Sequence, residues 1–124
     1  MIPFKYAIII FSPYPHDIGE FVNCGAIAWN VTEGLKYWFF DEAEERVRAF
    51  FPEISPEVYQ EGKTKWELEL AEKTKIRLAI HDIIYHDLTY ASDGLFQFIH
   101  KANRMVQSEE TLKQFIYDRY ILRK

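Results

Sequence analysis

The segment from Phe4 to Phe11 is the feature that most limits how this chain can fold. Its side chains are apolar at both even and odd positions. Those on one face of a strand would be Phe4, Tyr6, Ile8 and Ile10, and those on the other Ala7, Ile9 and Phe11. A strand with one solvated face would alternate apolar and polar residues, so this pattern predicts a strand buried on both sides. We place this strand at about residues 4–12, in the middle of a sheet.

Two more strands are predicted, at about residues 21–31 and 35–40. In the first of them, the even positions carry small side chains, which suit close packing of a helix: Val22, Cys24, Ala26 and Ala28. Gly34 can supply the positive φ that a hairpin turn needs between the two strands. Because this connection is too short for a parallel crossover, the three strands are expected to form an antiparallel meander.

Helix signals occupy much of the remaining chain. We predict helices at about residues 42–51, 56–61, 65–85 and 109–121. Asp41 and Glu44 form a capping arrangement for the first helix, and Ser108 caps the last. Gly62 is expected to interrupt the helical region after residue 56. The apolar positions at about residues 95–100 fit a fourth strand or a helical stripe, and periodicity leaves both interpretations open.

Length and composition favour one compact domain over residues 1–124. The chain has 124 residues, of which 48% are hydrophobic and 17% aromatic, whereas disordered chains are poor in aromatic residues. The strand and helix pattern predicts an α+β fold. We expect an antiparallel sheet of three to four strands with helices mainly on one face.

Charge and cysteine content limit the partners and the compartment. The formal net charge of -4 provides no basic field for a phosphate backbone, so nucleic-acid binding is not expected. The single cysteine, Cys24, cannot form an internal disulfide, which is typical of a reducing compartment. The first five residues form no basic leader, and the longest apolar run is too short to span a bilayer. A cytoplasmic protein without membrane contact is therefore predicted.

The run from Gly19 to Gly25, Gly-Glu-Phe-Val-Asn-Cys-Gly, resembles the signature of the bacterial family catalogued as DUF3037. Two further matches are Arg-Ala-Phe-Phe-Pro at residues 48–52 and the closing helix that contains Tyr120. Cys24 stands where the family usually has valine, a change of little weight at a buried small position. The resemblance covers the first half of the chain well.

The resemblance implies a stand-alone bacterial protein without an established activity. Genes of the family are often found beside those of HipA-like kinases, which implies a protein partner. The family pattern also implies a strand, rather than a helix, at about residues 95–100.

Four residues of the motif form the candidate binding site: Glu20, Phe21, Asn23 and Gly25. A carboxylate and an amide at a strand entrance could bind a ligand or a partner backbone, because glycines allow another chain to approach closely. The alternative is structural, with Glu20 and Asn23 satisfying backbone amides and holding the loop at residues 13–17.

Histidine and aspartate pairs suggest a second kind of site. Imidazole and carboxylate groups are typical ligands of divalent transition metals, and they occur here as His16, Asp17, His81, Asp82 and His86. His81 and His86 are five residues apart, whereas two zinc ligands on one helix are usually four apart. Asp82 and His86 have the spacing of an ordinary surface ion pair.

The leading hypothesis is a non-enzymatic interaction or regulatory module that needs no cofactor and binds a protein partner. This hypothesis is based on the absence of familiar catalytic motifs from the sequence. There is no phosphate-binding glycine loop, no serine-hydrolase elbow and no Cys-x-x-Cys pair. We assign no catalytic residue, and self-association is left open. The alternative hypothesis is a metal-dependent hydrolase that uses His16, Asp17 and Glu20 together with one further residue, which is His81, Asp82 or His86.

Overall fold

The computed structural model describes residues 2–13, 21–30, 34–40, 44–73 and 96–121. Four strands run along the chain: β1 (Ile2–Phe11), β2 (Val22–Asn30), β3 (Gly34–Phe40) and β4 (Phe96–Val106). The helices are α1 (Glu44–Phe50), α2 (Pro56–Lys73) and α3 (Glu109–Ile116), and a π-helical segment (Tyr117–Ile121) continues α3. The predicted α+β fold is confirmed.

The described strands form one antiparallel sheet in the order β3-β2-β1-β4. β1 lies between two neighbours, and its Ile8 is opposite Ala26 of β2 and Ile99 of β4. The central position predicted for β1 and the antiparallel meander are confirmed. β4 begins at Phe96 and continues to Val106, which confirms the fourth strand expected in this stretch and excludes the helical interpretation there.

Helices α1 and α2 cover one side of the sheet, which we call the α2 face. Phe11 is central to this core, because its ring lies 5.2 Å from Phe96, 5.3 Å from Tyr59 and 6.1 Å from Phe51 between centroids. Edge and tilted contacts at these distances are the favoured arrangements of aromatic pairs. The α2 face therefore joins both helices to β1 and β4 in one aromatic core.

Helix α3 covers the opposite side of the sheet, the α3 face. Its Leu112 and Ile116 are fully buried against the second set of β1 side chains, Phe4, Tyr6, Ile8 and Ile10. Ser108 caps the helix by accepting a hydrogen bond from the backbone N–H of Thr111. Two of the three described helices lie on the α2 face, and the third buries the other side of β1.

A bulge in β2 changes which side chains face each layer. Ile9 is opposite Gly25 whereas Ile10 is opposite Asn23, so Cys24 is an extra residue in the ladder. Cys24 consequently lies in the core of the α2 face, while Ala26 packs on the α3 face. The small-residue face predicted for this strand is therefore divided between the two sides of the sheet.

The predicted helix break at Gly62 is wrong, because α2 is continuous from Pro56 to Lys73. A Cβ atom at Gly62 would lie 2.3 Å from Cε2 of Phe96, which is closer than any ordinary contact. The glycine thus lets the helix approach the buried Phe96 ring. The part of the predicted helix beyond residue 73 lies outside the described residues.

None of the helices in the described ranges is both long and apolar enough to cross a membrane.

Candidate functional site

The motif at the start of β2 places one aromatic side chain at the surface. Phe21 directly precedes the strand and is 41% exposed. Phe50, at the end of α1, is also exposed. Glu20 lies outside the described residues. The structure therefore describes three of the four predicted binding residues, Phe21, Asn23 and Gly25.

Asn23 contacts the end of the C-terminal helix. Its Nδ2 donates to the backbone carbonyl of Tyr120 at 2.9 Å. Arg46 of α1 donates to the carbonyl of Asn23 at 3.1 Å and to that of Ile121. The last carbonyls of a helix lack partners within the helix, and positive charge is favourable there. Asn23 and Arg46 together hold the π-helical segment against β2.

Gly25 faces another strand of the same sheet. A Cβ atom at this position would lie 2.3 Å from the backbone oxygen of Phe39 in β3. Glycine at this position permits the close approach of a backbone, and the backbone that approaches it is that of β3. Gly25 therefore has a structural role, because its missing side chain allows β3 to approach β2 closely.

The predicted metal ligands, His16, Asp17, His81, Asp82 and His86, all lie outside the described residues. Within the part of the chain that is described, no three His, Cys, Asp or Glu side chains come together in a way that could hold a metal ion. Cys24 is fully buried, and its thiol donates to the carbonyl of Ile9.

Three aromatic rings meet where α3 passes over β1. The centroid of Tyr6 lies 6.4 Å from that of Phe115 and 6.3 Å from that of Tyr120, and the latter two are 6.4 Å apart. The two contacts of Phe115 are edge-to-face, a favoured geometry for aromatic rings. The hydroxyls of Tyr6 and Tyr120 are 3.4 Å apart. The three rings form a nearly equilateral triangle.

The π-helical segment brings Phe115 and Tyr120 together. In an α-helix, residues five apart point about 140° away from one another. A π-helix bonds residue i to residue i+5, and its wider turn brings side chains at that spacing closer together than an α-helix does. The segment Tyr117–Ile121 has this wider turn, and Asn23 and Arg46 bind its carbonyls.

Two arginines from different elements lie over the ring of Phe115. The guanidinium of Arg104 is 3.7 Å from the ring centroid and that of Arg119 is 5.8 Å from it. Arg104 belongs to β4 and is opposite Phe4 in the ladder, which places it on the α3 face. Both arginines are exposed. Among the described residues, neither guanidinium has a carboxylate partner.

We call these five residues the basic–aromatic patch: Tyr6, Arg104, Phe115, Arg119 and Tyr120. Its residues come from three packed elements, β1, β4 and the C-terminal helix. Guanidinium groups held over an aromatic ring keep their N–H donors at the ring edge and can still bind an anion. The patch can therefore present fixed positive charge and hydrogen-bond donors to a ligand.

Burial controls the ionisation of Tyr6. Removal from solvent, followed by the hydrogen bond and the charge interaction with Tyr120, raises the pKa of Tyr6 from 10.0 to about 12. Arg104 and Arg119 oppose this rise in pKa, because positive charge favours the phenolate. Tyr6 is therefore a neutral hydroxyl at physiological pH.

The raised pKa of Tyr6 predicts a loss of stability at alkaline pH. Between pH 10 and about 12, the folded protein keeps a proton on Tyr6 that the unfolded chain releases. The stabilising contribution is complete below pH 10 and is lost as the pH rises through about 12. We expect the free energy of unfolding to fall more steeply in this window for the wild type than for Tyr6→Phe. Parallel curves from denaturant titrations would contradict this assignment.

Part of this region could be recognised in the sequence, and the rest could not. Asn23 was singled out, although its partner, the carbonyl of Tyr120, was not. Arg104, Arg119 and Phe115 were not proposed as a site. The spacing of Phe115 and Arg119, four residues apart on a helix, was the available signal. Placing Arg104 beside them requires the register of β4 against β1.

The chain is similar to one described family over almost its whole length. The profile of the family DUF3037, a protein of unknown function, matches residues 6–121. This range includes the β2 motif and all five residues of the basic–aromatic patch. No curated protein and no solved structure matches the chain.

Proposed function

We propose that this chain, which belongs to the DUF3037 family of proteins of unknown function, is a non-enzymatic module that binds a protein partner. The basic–aromatic patch is its contact surface. The observation that supports this proposal most directly is the pair of exposed guanidiniums, of Arg104 and Arg119, over the Phe115 ring. Neither has a carboxylate partner among the described residues.

The residue types of the patch support a binding role. Arginine and tyrosine are enriched among the residues that contribute most to the affinity of protein interfaces. Contact with the Phe115 ring restricts Arg104 and Arg119, and a side chain that is already restricted loses less entropy when a partner binds. The surface is thus organised before it meets its partner.

The motif at the start of β2 has two parts in this proposal. Asn23 acts as a positioning residue, because its bond to the Tyr120 carbonyl fixes the segment that carries Tyr120 and Arg119. Phe21 supplies an exposed apolar side chain near the strand entrance and is a second candidate contact.

The state of Cys24 argues against one enzymatic mechanism, a cysteine nucleophile at this position. A cysteine nucleophile needs partial exposure and a nearby base. The thiol of Cys24 is fully buried and donates to a backbone carbonyl instead. The proposal also includes a regulatory role, a cytoplasmic location and a HipA-like kinase as the partner. The choice of this kinase is based on family resemblance alone.

The test is capture of a partner with a charge-reversal pair. We expect the tagged wild-type protein, expressed in its own cells, to retain a specific protein that Arg104→Glu/Arg119→Glu loses. The matched control is Arg48→Glu/Lys63→Glu, which makes the same change in net charge on α1 and α2. The control should keep the partner. Circular dichroism and thermal unfolding would show that both variants fold.

Two results would contradict the proposed surface. One is a partner that remains bound to the folded Arg104→Glu/Arg119→Glu variant at the wild-type level. The other is equal loss of the partner in the control variant, since this would show that overall charge, rather than the patch, governs binding.

A further inference from the structure

We infer that the basic–aromatic patch recognises an acidic segment of a protein, with the segment's carboxylates bound by Arg104 and Arg119. This inference rests on the proposed function and specifies the chemistry of the partner.

The arrangement of the two guanidiniums favours carboxylate ligands. A guanidinium offers parallel N–H donors that match the two oxygens of a carboxylate. The guanidinium carbons of Arg104 and Arg119 lie 3.7 and 5.8 Å from the same ring centroid, which limits their separation to roughly 10 Å. A segment with closely spaced glutamate or aspartate residues can therefore contact both of them.

The other charged side chains of the C-terminal helix lie apart from the two guanidiniums. Lys113 of α3 is exposed, and its Nζ lies 6.0 Å from the centroid of the Phe39 ring in β3, at the opposite edge of the sheet from Arg104. Asp118 is next to Arg119 in sequence, but its carboxylate accepts a hydrogen bond from Nε2 of Gln114 at 2.8 Å. The other nearby acidic residues, Glu109 and Glu110, are in the first turn of α3. Their place near the helix N-terminus puts them at the opposite end of α3 from Arg119.

The charge of the whole chain favours an acidic peptide over a nucleic acid. The formal net charge is -4, so the protein as a whole repels a long polyanion. At physiological salt, charges more than about 8 Å apart are largely screened from one another. A short acidic segment consequently responds to the local patch, while an extended phosphate backbone also meets the acidic remainder of the surface.

The direct test is fluorescence anisotropy with a short labelled peptide of alternating glutamate and serine, its termini blocked. We expect saturable binding to the wild-type protein that weakens as salt is added. The same peptide with glutamine in place of glutamate should bind at least about tenfold more weakly, as should the acidic peptide to Arg104→Glu/Arg119→Glu. The control Arg48→Glu/Lys63→Glu should bind as the wild type does.

Equal affinity for the glutamate and glutamine peptides would overturn the inference. Tighter binding of a single-stranded oligothymidylate that also depends on Arg104 and Arg119 would overturn it in favour of a nucleic-acid ligand. The proposed function is separable from this result. If the charge-reversal variant loses its cellular partner while the acidic peptide does not bind, the patch is an interface for a partner of other chemistry.

Discussion

The Gly25→Ala variant is expected to lose about 3 kcal/mol of its free energy of unfolding. The added Cβ would lie 2.3 Å from the backbone oxygen of Phe39 and 3.1 Å from Cα of Phe40. Both atoms belong to the backbone of β3, so no side-chain rotation can relieve the clash. The β2–β3 pairing would have to separate or shift. Urea denaturation followed by circular dichroism measures the change.

A matched control is the neighbouring substitution Cys24→Ala, which also changes a small buried residue in the same bulge. It introduces no new atom against β3, so we expect a loss of about 1 kcal/mol. If Gly25→Ala were as stable as the wild type, the close approach of β3 to β2 described here would be wrong.

The Phe96→Ala variant is expected to lose about 4 kcal/mol, within the range for a fully buried phenylalanine. Phe96 is 0% exposed, and its ring centroid lies 5.2 Å from that of Phe11 and 5.7 Å from that of Tyr59. Its removal leaves a cavity where α2, β1 and β4 meet. Denaturant titration should show a lower midpoint with helix and sheet signals lost together.

Gly62 provides an internal control for this prediction. In the wild type, Gly62→Ala should be destabilising, because the new Cβ would meet Cε2 of Phe96. In the Phe96→Ala background that obstacle is absent, and alanine in a helix interior is favoured over glycine by about 1 kcal/mol. We therefore expect a strong coupling energy in the double-mutant cycle. Additive effects, within about 0.5 kcal/mol, would show that the two residues do not touch.

The sheet could be predicted because its signals are local. Apolar residues at both even and odd positions identify β1 as a central strand. The short connection between β2 and β3 allows only antiparallel pairing. The bulge at Cys24 could not be predicted, since nothing in an apolar run marks where one extra residue enters the ladder. That single residue changes which side chains of β2 face each helix layer.

Gly62 shows the limit of local propensity. Glycine weakens an isolated helix by about 1 kcal/mol, which was the basis for predicting a break. In the fold, the buried residues Tyr59, Trp66 and Leu70 anchor α2 on both sides of Gly62. Packing of these side chains outweighs the propensity, and the missing side chain makes room for Phe96.

The basic–aromatic patch could not be predicted from the sequence, for a different reason. Tyr6 and Tyr120 are 114 positions apart, and Arg104 joins them only through the pairing of β4 with β1. The π-helical turn that aligns Phe115 with Tyr120 has no signal in side-chain periodicity. Asn23 was found from its motif, but its role as a support for Tyr120 depends on a contact across the fold.

The most direct measurement of the central claim is photo-crosslinking from two positions in living cells. One photoreactive residue replaces Lys113, which is exposed on α3, and the other replaces Leu68, which is 67% exposed on α2. We predict a specific crosslinked protein from position 113 that an excess of the glutamate–serine peptide suppresses in a lysate, and none from position 68. The same product from both positions, or one from position 68 alone, would contradict the claim that the α3 face binds the partner.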